Sequence, residues 1–306
     1  MSVNRSTLRP TVGIIGLGIM GMAYARNLRK AGFSVAGFDP MPAAAAALKE
    51  CGGEAFDSPR AVAEGCDHIL IALASIPALR DVVLGAEGIA DAARPGMVVA
   101  EMGTLPIDAK EEVKPALEEK GAALLDCPVS GTGAQAAVGD LVVYASGDKP
   151  AFDAILPVFE GFARDVRHVG PFGAGMKLKY VANLLVTIHN LAAAEALLLA
   201  EKSGLDLQMV YDAISSGAGS SRMFEVRAPM MIKREYEPAT MKMDVYMKDL
   251  TLILDHGRDV RAPLPLMAAS LPYYMAALSE GRDKEDTAAL FEVLKVLSGH
   301  VEKEAK

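Results

Sequence analysis

The stretch TVGIIGLGIMG, residues 11–21, decides how the rest of the chain is read. TVGII (11–15) is a short apolar run with β-branched members, which predicts a buried strand. It stops at Gly16, and from about 19 to 31 the apolar spacing is helical until Gly32. A second strand-like run, FSVAGF (33–38), ends in Asp39-Pro40. Three glycines, Gly16, Gly18 and Gly21, therefore stand at a strand-to-helix turn in G-x-G-x-x-G order. An acid closes the next strand 18 positions after Gly21.

In that setting each residue has a physical task. Gly16 permits the tight turn, Gly18 lets the backbone approach a pyrophosphate, and Gly21 lets helix and strand pack closely. The helix N-terminus offers unpaired N–H groups to phosphates. The loop of Gly16, Leu17, Gly18, Ile19, Met20 and Gly21 is thus expected to bind a dinucleotide, with Asp39 accepting from both adenosine ribose hydroxyls. A 2′-phosphate would meet the Asp39 charge, and no Arg or Lys follows soon after to offset it. NAD(H) is expected over NADP(H).

Outward from this unit, strand-like runs recur at 68–73, 96–102, 122–127, 141–146 and 166–170. Helical segments at about 42–50, 58–64, 106–119 and 150–160 alternate with them. That alternation predicts an α/β fold, a Rossmann-type domain around a largely parallel, doubly wound sheet. After Gly170 the character changes: Gly170, Gly173 and Gly175 read as a flexible joint, and everything beyond reads as helix. Expected helices run at about 175–203, 206–216, 224–232, 243–257, 264–280 and 286–298, with Asp286 as an N-cap and Gly299 as a stop. The expected organisation is a dinucleotide-binding domain over 1–170 and an all-α substrate and oligomerisation domain over 171–306.

Composition excludes several classes. A 306-residue chain that is 51% hydrophobic and carries a net charge of −8 without a basic cluster fits a globular protein that avoids nucleic acid and anionic membrane. The N-terminus shows no apolar signal region, and Cys51, Cys66 and Cys127 lack metal-ligand spacing. Reduced thiols in a cytoplasm and no metal site are expected. Residues 180–200 are apolar enough to suggest a membrane span, but Asn183, Thr187, His189, Asn190 and Glu195 interrupt them. Burial against other helices or a second subunit is expected instead, giving a homodimer or homotetramer built through the C-terminal helices.

Four later stretches join the glycine motif in a specific order. They are EMGTLP (101–106), DCPVSGTGAQAAVGDL (126–141), GAGMKLKYVAN (173–183) and MKDL (247–250). With GIIGLGIMG they make the chain resemble the β-hydroxyacid dehydrogenase family, whose members include 3-hydroxyisobutyrate dehydrogenase and tartronate semialdehyde reductase. The resemblance covers essentially the whole chain. It implies Thr104 against the cofactor, although Glu101 and Gly103 depart from the family's Asp and Ser. It implies a substrate-carboxylate site at Ser130, Gly131 and Thr132, with Thr132 where a second glycine is usual. Lys179 matches the catalytic lysine and Asn183 the asparagine that works with it, whereas Ala182 replaces a second asparagine. Lys248 falls where the family reaches the nicotinamide end of the site, serving substrate and cofactor alike.

The residues themselves agree with that assignment. Oxidising a hydroxyl needs hydride transfer to the nicotinamide and removal of the hydroxyl proton. A lysine serves as the base when burial and a neighbouring positive charge depress its pKa. If 173–183 opens a helix, Lys177 and Lys179 lie on nearly opposite faces, and Asn183 stands one turn above Lys179. Thr187 and Asn190 extend that polar stripe, as suits a lysine facing a cleft. Lys177, with Val181 and Leu184 on its face, reads as a solvated stem over apolar surface. Arg222 reads equally as a contact for a polar substrate tail or as a surface arginine.

The function that follows is hydride transfer between NAD(H) and a small 3-hydroxy carboxylate or its semialdehyde. Tartronate semialdehyde, 3-hydroxyisobutyrate and a threonate-like sugar acid all stay open. An imine reductase on the same scaffold is one alternative, although such enzymes usually lack the lysine–asparagine pair. A non-catalytic dinucleotide-binding protein is the other.

Overall fold

In the computed structural model, which describes residues 10–299, TVGII is a strand whose last four residues are wholly buried. The first half of the chain alternates as expected: β1 Thr11–Ile15, α1 Ile19–Lys30, β2 Ser34–Phe38, α2 Pro42–Glu50, β3 Glu54–Ala55, α3 Pro59–Gly65 and β4 His68–Ile71. It continues through α4 Ile76–Leu84, α5 Ile89–Ala92, β5 Val98–Glu101, α6 Ile107–Glu118 and β6 Ala123–Asp126. Then come β7 Val129–Ser130, α7 Gly133–Ala137, β8 Val142–Ala145, α8 Lys149–Phe159 and β9 Asp165–His168. The helical half holds α9 Ala174–Lys202, α10 Leu207–Ser215, α11 Arg222–Lys233, α12 Met243–Asp259 and α13 Pro265–Ser279. A 3-10 turn at Thr287–Ala289 and α14 Leu290–Leu297 close it.

Six strands form one parallel sheet in the order β3-β2-β1-β4-β5-β6. Its direction of winding reverses between β1 and β4, so the glycine turn after β1 opens at the switch point where such sheets bind ligands. Alternate strand residues feed two cores: Val12, Ile14, Leu70 and Ala100 on one face, Ile15, Ile69, Ile71 and Val99 on the other. Both faces are covered by helices, which explains strands that read as unbroken apolar runs.

One expectation changes. The runs at 141–146 and 166–170 do not extend the large sheet but pair with β7 in a three-stranded sheet, β7-β8-β9, antiparallel then parallel. The handover begins at Asp126, which exchanges backbone bonds with Ser146 at 3.0 and 2.8 Å on the free edge of β6. Cys127 still donates its N–H to the Glu101 carbonyl at 2.8 Å, continuing the large sheet. Two residues beyond Asp126 the Pro128 carbonyl accepts from Tyr144 at 3.0 Å, and the same antiparallel ladder runs on into the second sheet.

Two compact units part between Lys179 and Tyr180, inside α9. In the helical unit Leu197, Met243, Leu250, Met267, Leu290 and Phe291 form much of the buried core. Helix α9 has the length and apolar composition of a membrane span. Its polar residues nevertheless find partners inside the helical unit. The Thr187 hydroxyl meets the Tyr246 hydroxyl at 2.8 Å, and Asn190 donates to the Tyr274 hydroxyl and the Thr287 carbonyl. Thr187 and Asn190 are therefore core residues, not a continuation of a cleft-facing stripe.

Candidate active site

The glycine loop has the geometry that its sequence demands. Gly16 sits at φ +89°, and a Cβ there would lie 2.6 Å from the Ala72 carbonyl oxygen. A Cβ on Gly21 would stand 1.9 Å from the Gly16 carbonyl, so α1 packs on the turn only because position 21 is bare. Gly18 caps α1 without offering a side chain to the first-turn N–H groups, and space around it is open for 4 Å. No acidic residue occupies that first turn. A pyrophosphate fits this arrangement: an uncapped helix N-terminus and room for close backbone approach.

Asp39 ends β2 beside the loop. Its Oδ2 accepts the Leu17 N–H at 2.7 Å and its Oδ1 accepts the Met41 N–H at 2.9 Å. Each carboxylate oxygen keeps a further lone pair for a ribose hydroxyl. Asp39 thus braces the glycine loop as well as presenting an acid to it. Leu17 is buried, Met20 half-buried and Ile19 exposed.

The Ser130–Thr132 segment lies next to this loop. A Cβ on Gly133 would come within 2.7 Å of Ile19 Cγ2, and Asn27 of α1 donates to the Ala136 carbonyl of α7 at 2.7 Å. Gly131 has φ +137°, a conformation that other residues rarely adopt. Thr132 is the N-cap of α7 in a capping box with Gln135. Its N–H donates to Gln135 Oε1 at 3.0 Å, so that group is already engaged; Ser130 and Gly131 are both outside this cap. Gln135 in turn donates to Asp140 at 3.1 Å.

Behind Thr104 lies a cluster that sequence reasoning missed. Glu101, Lys110 and Asp126 are wholly buried, and the Lys110 ammonium stands 2.5 Å from Glu101 Oε2 and 2.6 Å from Asp126 Oδ1. Burial by itself would lower the Lys110 pKa; the two carboxylates outweigh it and hold the ammonium above its ordinary value. Burial pushes the Glu101 carboxyl up, against the pull of Lys110 and of the Gly103 N–H. Lys110 also donates to the Gly103 carbonyl at 2.9 Å, and Gly103 donates its N–H to Glu101 Oε1 at 2.8 Å. Thr104, half-buried, follows directly.

Helix α9 begins against the same cluster. Met176 donates its N–H to Asp126 Oδ2 at 2.8 Å, and Gly175 donates to Ser146 Oγ at 2.9 Å. A Cβ on Gly175 would lie 2.3 Å from the Tyr144 carbonyl, so this glycine is a close-approach position inside a helix, not part of a flexible joint. Lys177 is exposed and Lys179 half-buried, as their opposite faces require.

One turn on, Asn183 is buried and donates its amide to Asp249 Oδ2 at 2.7 Å. Lys248 is half-buried, its ammonium 4.0 Å from Asp249 Oδ1. Asp249 adjoins Lys248 in the MKDL motif, which was the available signal for it. Arg222 is 79% exposed and ion-paired with Glu225 at the start of α11. Among the described residues no cluster of His, Cys, Asp and Glu is placed to hold a metal ion.

Known proteins match both halves of the chain. The family model for the NAD binding domain of 6-phosphogluconate dehydrogenase matches residues 11–170. The model for the NAD-binding domain of NADP-dependent 3-hydroxyisobutyrate dehydrogenase matches residues 173–294. An L-threonate dehydrogenase of Cupriavidus necator is 36% identical over 283 residues, 92% of this chain and 95% of that protein. A 2-hydroxy-3-oxopropionate reductase of Escherichia coli is 32% identical over 94% of this chain and 98% of its own length. The crystal structure of a 3-hydroxyisobutyrate dehydrogenase from Salmonella typhimurium superposes with a TM-score of 0.82 at 35% identity, covering 93% of this chain and all of that one. With both halves of the chain matched and the glycine loop built to receive a dinucleotide, the chain belongs to the β-hydroxyacid dehydrogenase family of pyridine-nucleotide oxidoreductases.

Proposed function

We propose that this protein oxidises a short hydroxy carboxylate, or reduces the matching semialdehyde or keto acid, with Lys179 as the proton carrier. The observation that carries this reading is the orientation of α9: Lys179 is half-buried one turn before the buried Asn183, while Lys177 faces solvent. The nicotinamide supplies hydride chemistry when bound. Lys179 takes the hydroxyl proton in one direction and returns it in the other. Asn183, fixed through its amide by Asp249, holds the substrate oxygen without adding charge. The Ser130 hydroxyl and the Gly131 N–H grip the substrate carboxylate, and Thr132 shapes that loop through its cap. Lys248 adds positive potential for the substrate and the nicotinamide end of the cofactor.

Asp39 favours NAD(H), since a 2′-phosphate there would meet its carboxylate. A four-carbon polyhydroxy acid such as L-threonate is the first substrate to test, given the name of the relative from Cupriavidus necator. Residues 1–170 serve the dinucleotide and 171–306 the substrate and assembly. Val181, Leu185 and Leu199 of α9 are exposed apolar residues, which suits coverage by a second copy in a homodimer or homotetramer. The unbridged thiols Cys51, Cys66 and Cys127 suit a reducing cytoplasm.

The test is reduced-nicotinamide absorbance with L-threonate, 3-hydroxyisobutyrate, tartronate semialdehyde and short 2-hydroxyacids, each with NAD⁺ or NADH and NADP⁺ or NADPH as the direction requires. Turnover of at least one acid with NAD(H) preferred is expected. Imine turnover without hydroxyacid turnover would overturn the substrate assignment, and more efficient use of NADPH than of NADH would overturn the cofactor preference.

A further inference from the structure

The Glu101–Lys110–Asp126 cluster touches backbone beside two candidate site residues of the first unit, Thr104 and Lys179. Glu101 Oε1 and the Lys110 ammonium hold the N–H and the carbonyl of Gly103, immediately before Thr104. Asp126 lies four residues before Ser130 and joins Ser146 through that residue's hydroxyl, which donates to Asp126 Oδ2 at 3.1 Å and to its carbonyl at 3.0 Å. Asp126 Oδ2 also accepts the Met176 N–H.

Charge is an unusual material for such a place. Two carboxylates and one ammonium in a dry interior carry a desolvation cost that well-packed apolar side chains avoid, so stability alone does not account for them. Orientation does account for them. The start of α9 has N–H groups with no partner inside the helix, and here an acid from β6 and a hydroxyl from the loop after β8 supply the acceptors. Carboxylate at a helix N-terminus is also favoured by the helix dipole. Lys179 follows Met176 by three residues, a rise of about 4.5 Å along the axis. Fixing the first turn of α9 therefore fixes where the Lys179 side chain leaves the helix.

We propose that Asp126 is a positioning residue for Lys179: held by Lys110 on one oxygen, it anchors the start of α9 with the other and sets the register of the proton carrier. This role rests on the reading of Lys179 given above. Glu101 completes the device by sharing the ammonium, which leaves Lys110 tied to the Thr104 segment as well.

The informative variant is Asp126→Asn in the full-length protein. Glu101 remains to pair Lys110 one to one, so no unpaired buried charge is created. The ammonium keeps the amide oxygen, and the amide nitrogen then faces the Met176 N–H, donor against donor. A displacement on the order of 1 Å at a catalytic group costs up to about 100-fold in rate, so kcat should fall about 10- to 100-fold. NADH affinity, measured by fluorescence titration, should stay within about twofold, because the glycine loop is untouched. Ser146→Ala removes the Gly175 acceptor and should lower kcat in the same selective way, by about threefold. In a Lys179→Ala background, Asp126→Asn should cause no further loss, since its effect passes through the missing lysine.

Wild-type kcat in Asp126→Asn, a further loss on top of Lys179→Ala, or equal damage to NADH binding would each overturn the positioning role. Should Asp126→Asn not yield soluble protein, Ser146→Ala decides alone: a normal kcat sinks the role, a selective loss supports it. Normal turnover by Lys179→Ala itself sinks the assignment of the proton carrier, and this role with it. An inactive Lys179→Ala beside a fully active Asp126→Asn sinks only the positioning role.

Discussion

Glu101 and Gly103 stand where the resemblance led to Asp and Ser, and in the structure the two positions constrain each other. A Cβ on Gly103 would lie 2.6 Å from Glu101 Oε1 and 2.6 Å from the Leu73 carbonyl oxygen. The longer acid fills the space that a side chain at 103 needs. Gly103→Ser should therefore destabilise the protein by about 1–3 kcal/mol through overpacking. Glu101→Asp in the same molecule should recover part of that loss by withdrawing the carboxylate, though the Leu73 contact stays. Urea midpoints of the two single variants and the double variant check this, and additive effects would refute the coupling. The two lysines of α9 give the second residue-scale expectation. Lys179→Ala should lower kcat about 10²- to 10⁴-fold, the typical worth of a positioned acid–base group, with NADH affinity little changed. Lys177→Ala, at an exposed position, should keep most activity. Loss of kcat in both, measured by initial rates, would mean that the helical register is not what selects the carrier.

At the scale of elements, long periodic segments were legible and short ones were not. The glycine turn, α1, β2 and the helices of the second half follow from period, caps and stops, and Asp286 caps the 3-10 turn as its sequence position suggests. The pieces β3, β7, α5 and α7 have between two and five residues, too few for any period to show. Helix α4 is not among the expected helices, although Ser75 caps it and Pro77 lies in its first turn, both ordinary start signals. The buried ion cluster was invisible for another reason. Lys110 meets Asp126 across 16 positions, Asp126 meets Met176 across 50, and nothing in the polar run IDAKEEV distinguishes Lys110 from its neighbours. Asp286 shows how much one cap can carry. Its carboxylate accepts from Arg227, from the Thr240 N–H and hydroxyl, and from the Met241 and Ala288 N–H groups. Arg227 is buried, so Asp286→Ala leaves an uncompensated guanidinium and should cost about 3–5 kcal/mol. Chemical denaturation monitored by circular dichroism reads this directly, and a loss below about 1 kcal/mol, the range of an exposed pair, would refute it.

For the whole molecule, the buried titratable groups set an alkaline limit. Burial, reinforced by Glu101, holds the Tyr24 phenol well above its ordinary 10.0, and burial does the same for Tyr246 and Tyr274. The Cys66 thiol is pushed up from 9.0 to about 11, chiefly by burial. All these groups bind protons more tightly when folded, as does Lys110. Their stabilisation is fully present below the unfolded-state values and is lost as pH rises through them toward the folded ones. Melting temperature should hold level up to about pH 8 and then fall steadily through pH 9 to 11. The share of tyrosinate absorbance that belongs to Tyr24, Tyr246 and Tyr274 should appear with unfolding and not before it. A flat melting temperature across that range would show that these groups reach solvent in the folded state.

The boundary between the two compact units bears on how such a protein can be divided and recombined. It falls within an unbroken helix, and the acceptors for the first turn of that helix come from the opposite side of the boundary to most of its length. A crossover near Gly170, where the composition changes, would pair one parent's Asp126 and Ser146 with another parent's helix start. A crossover after Met176 keeps donor and acceptor from one parent. Chimeras spliced inside α9 should therefore keep the close approach of Gly175 to the Tyr144 carbonyl within one parent, whereas those spliced at the apparent linker should fold only where the second parent also carries glycine there. In this chain the inheritable module does not end where the sequence changes character at Gly170; it ends inside α9, at Lys179.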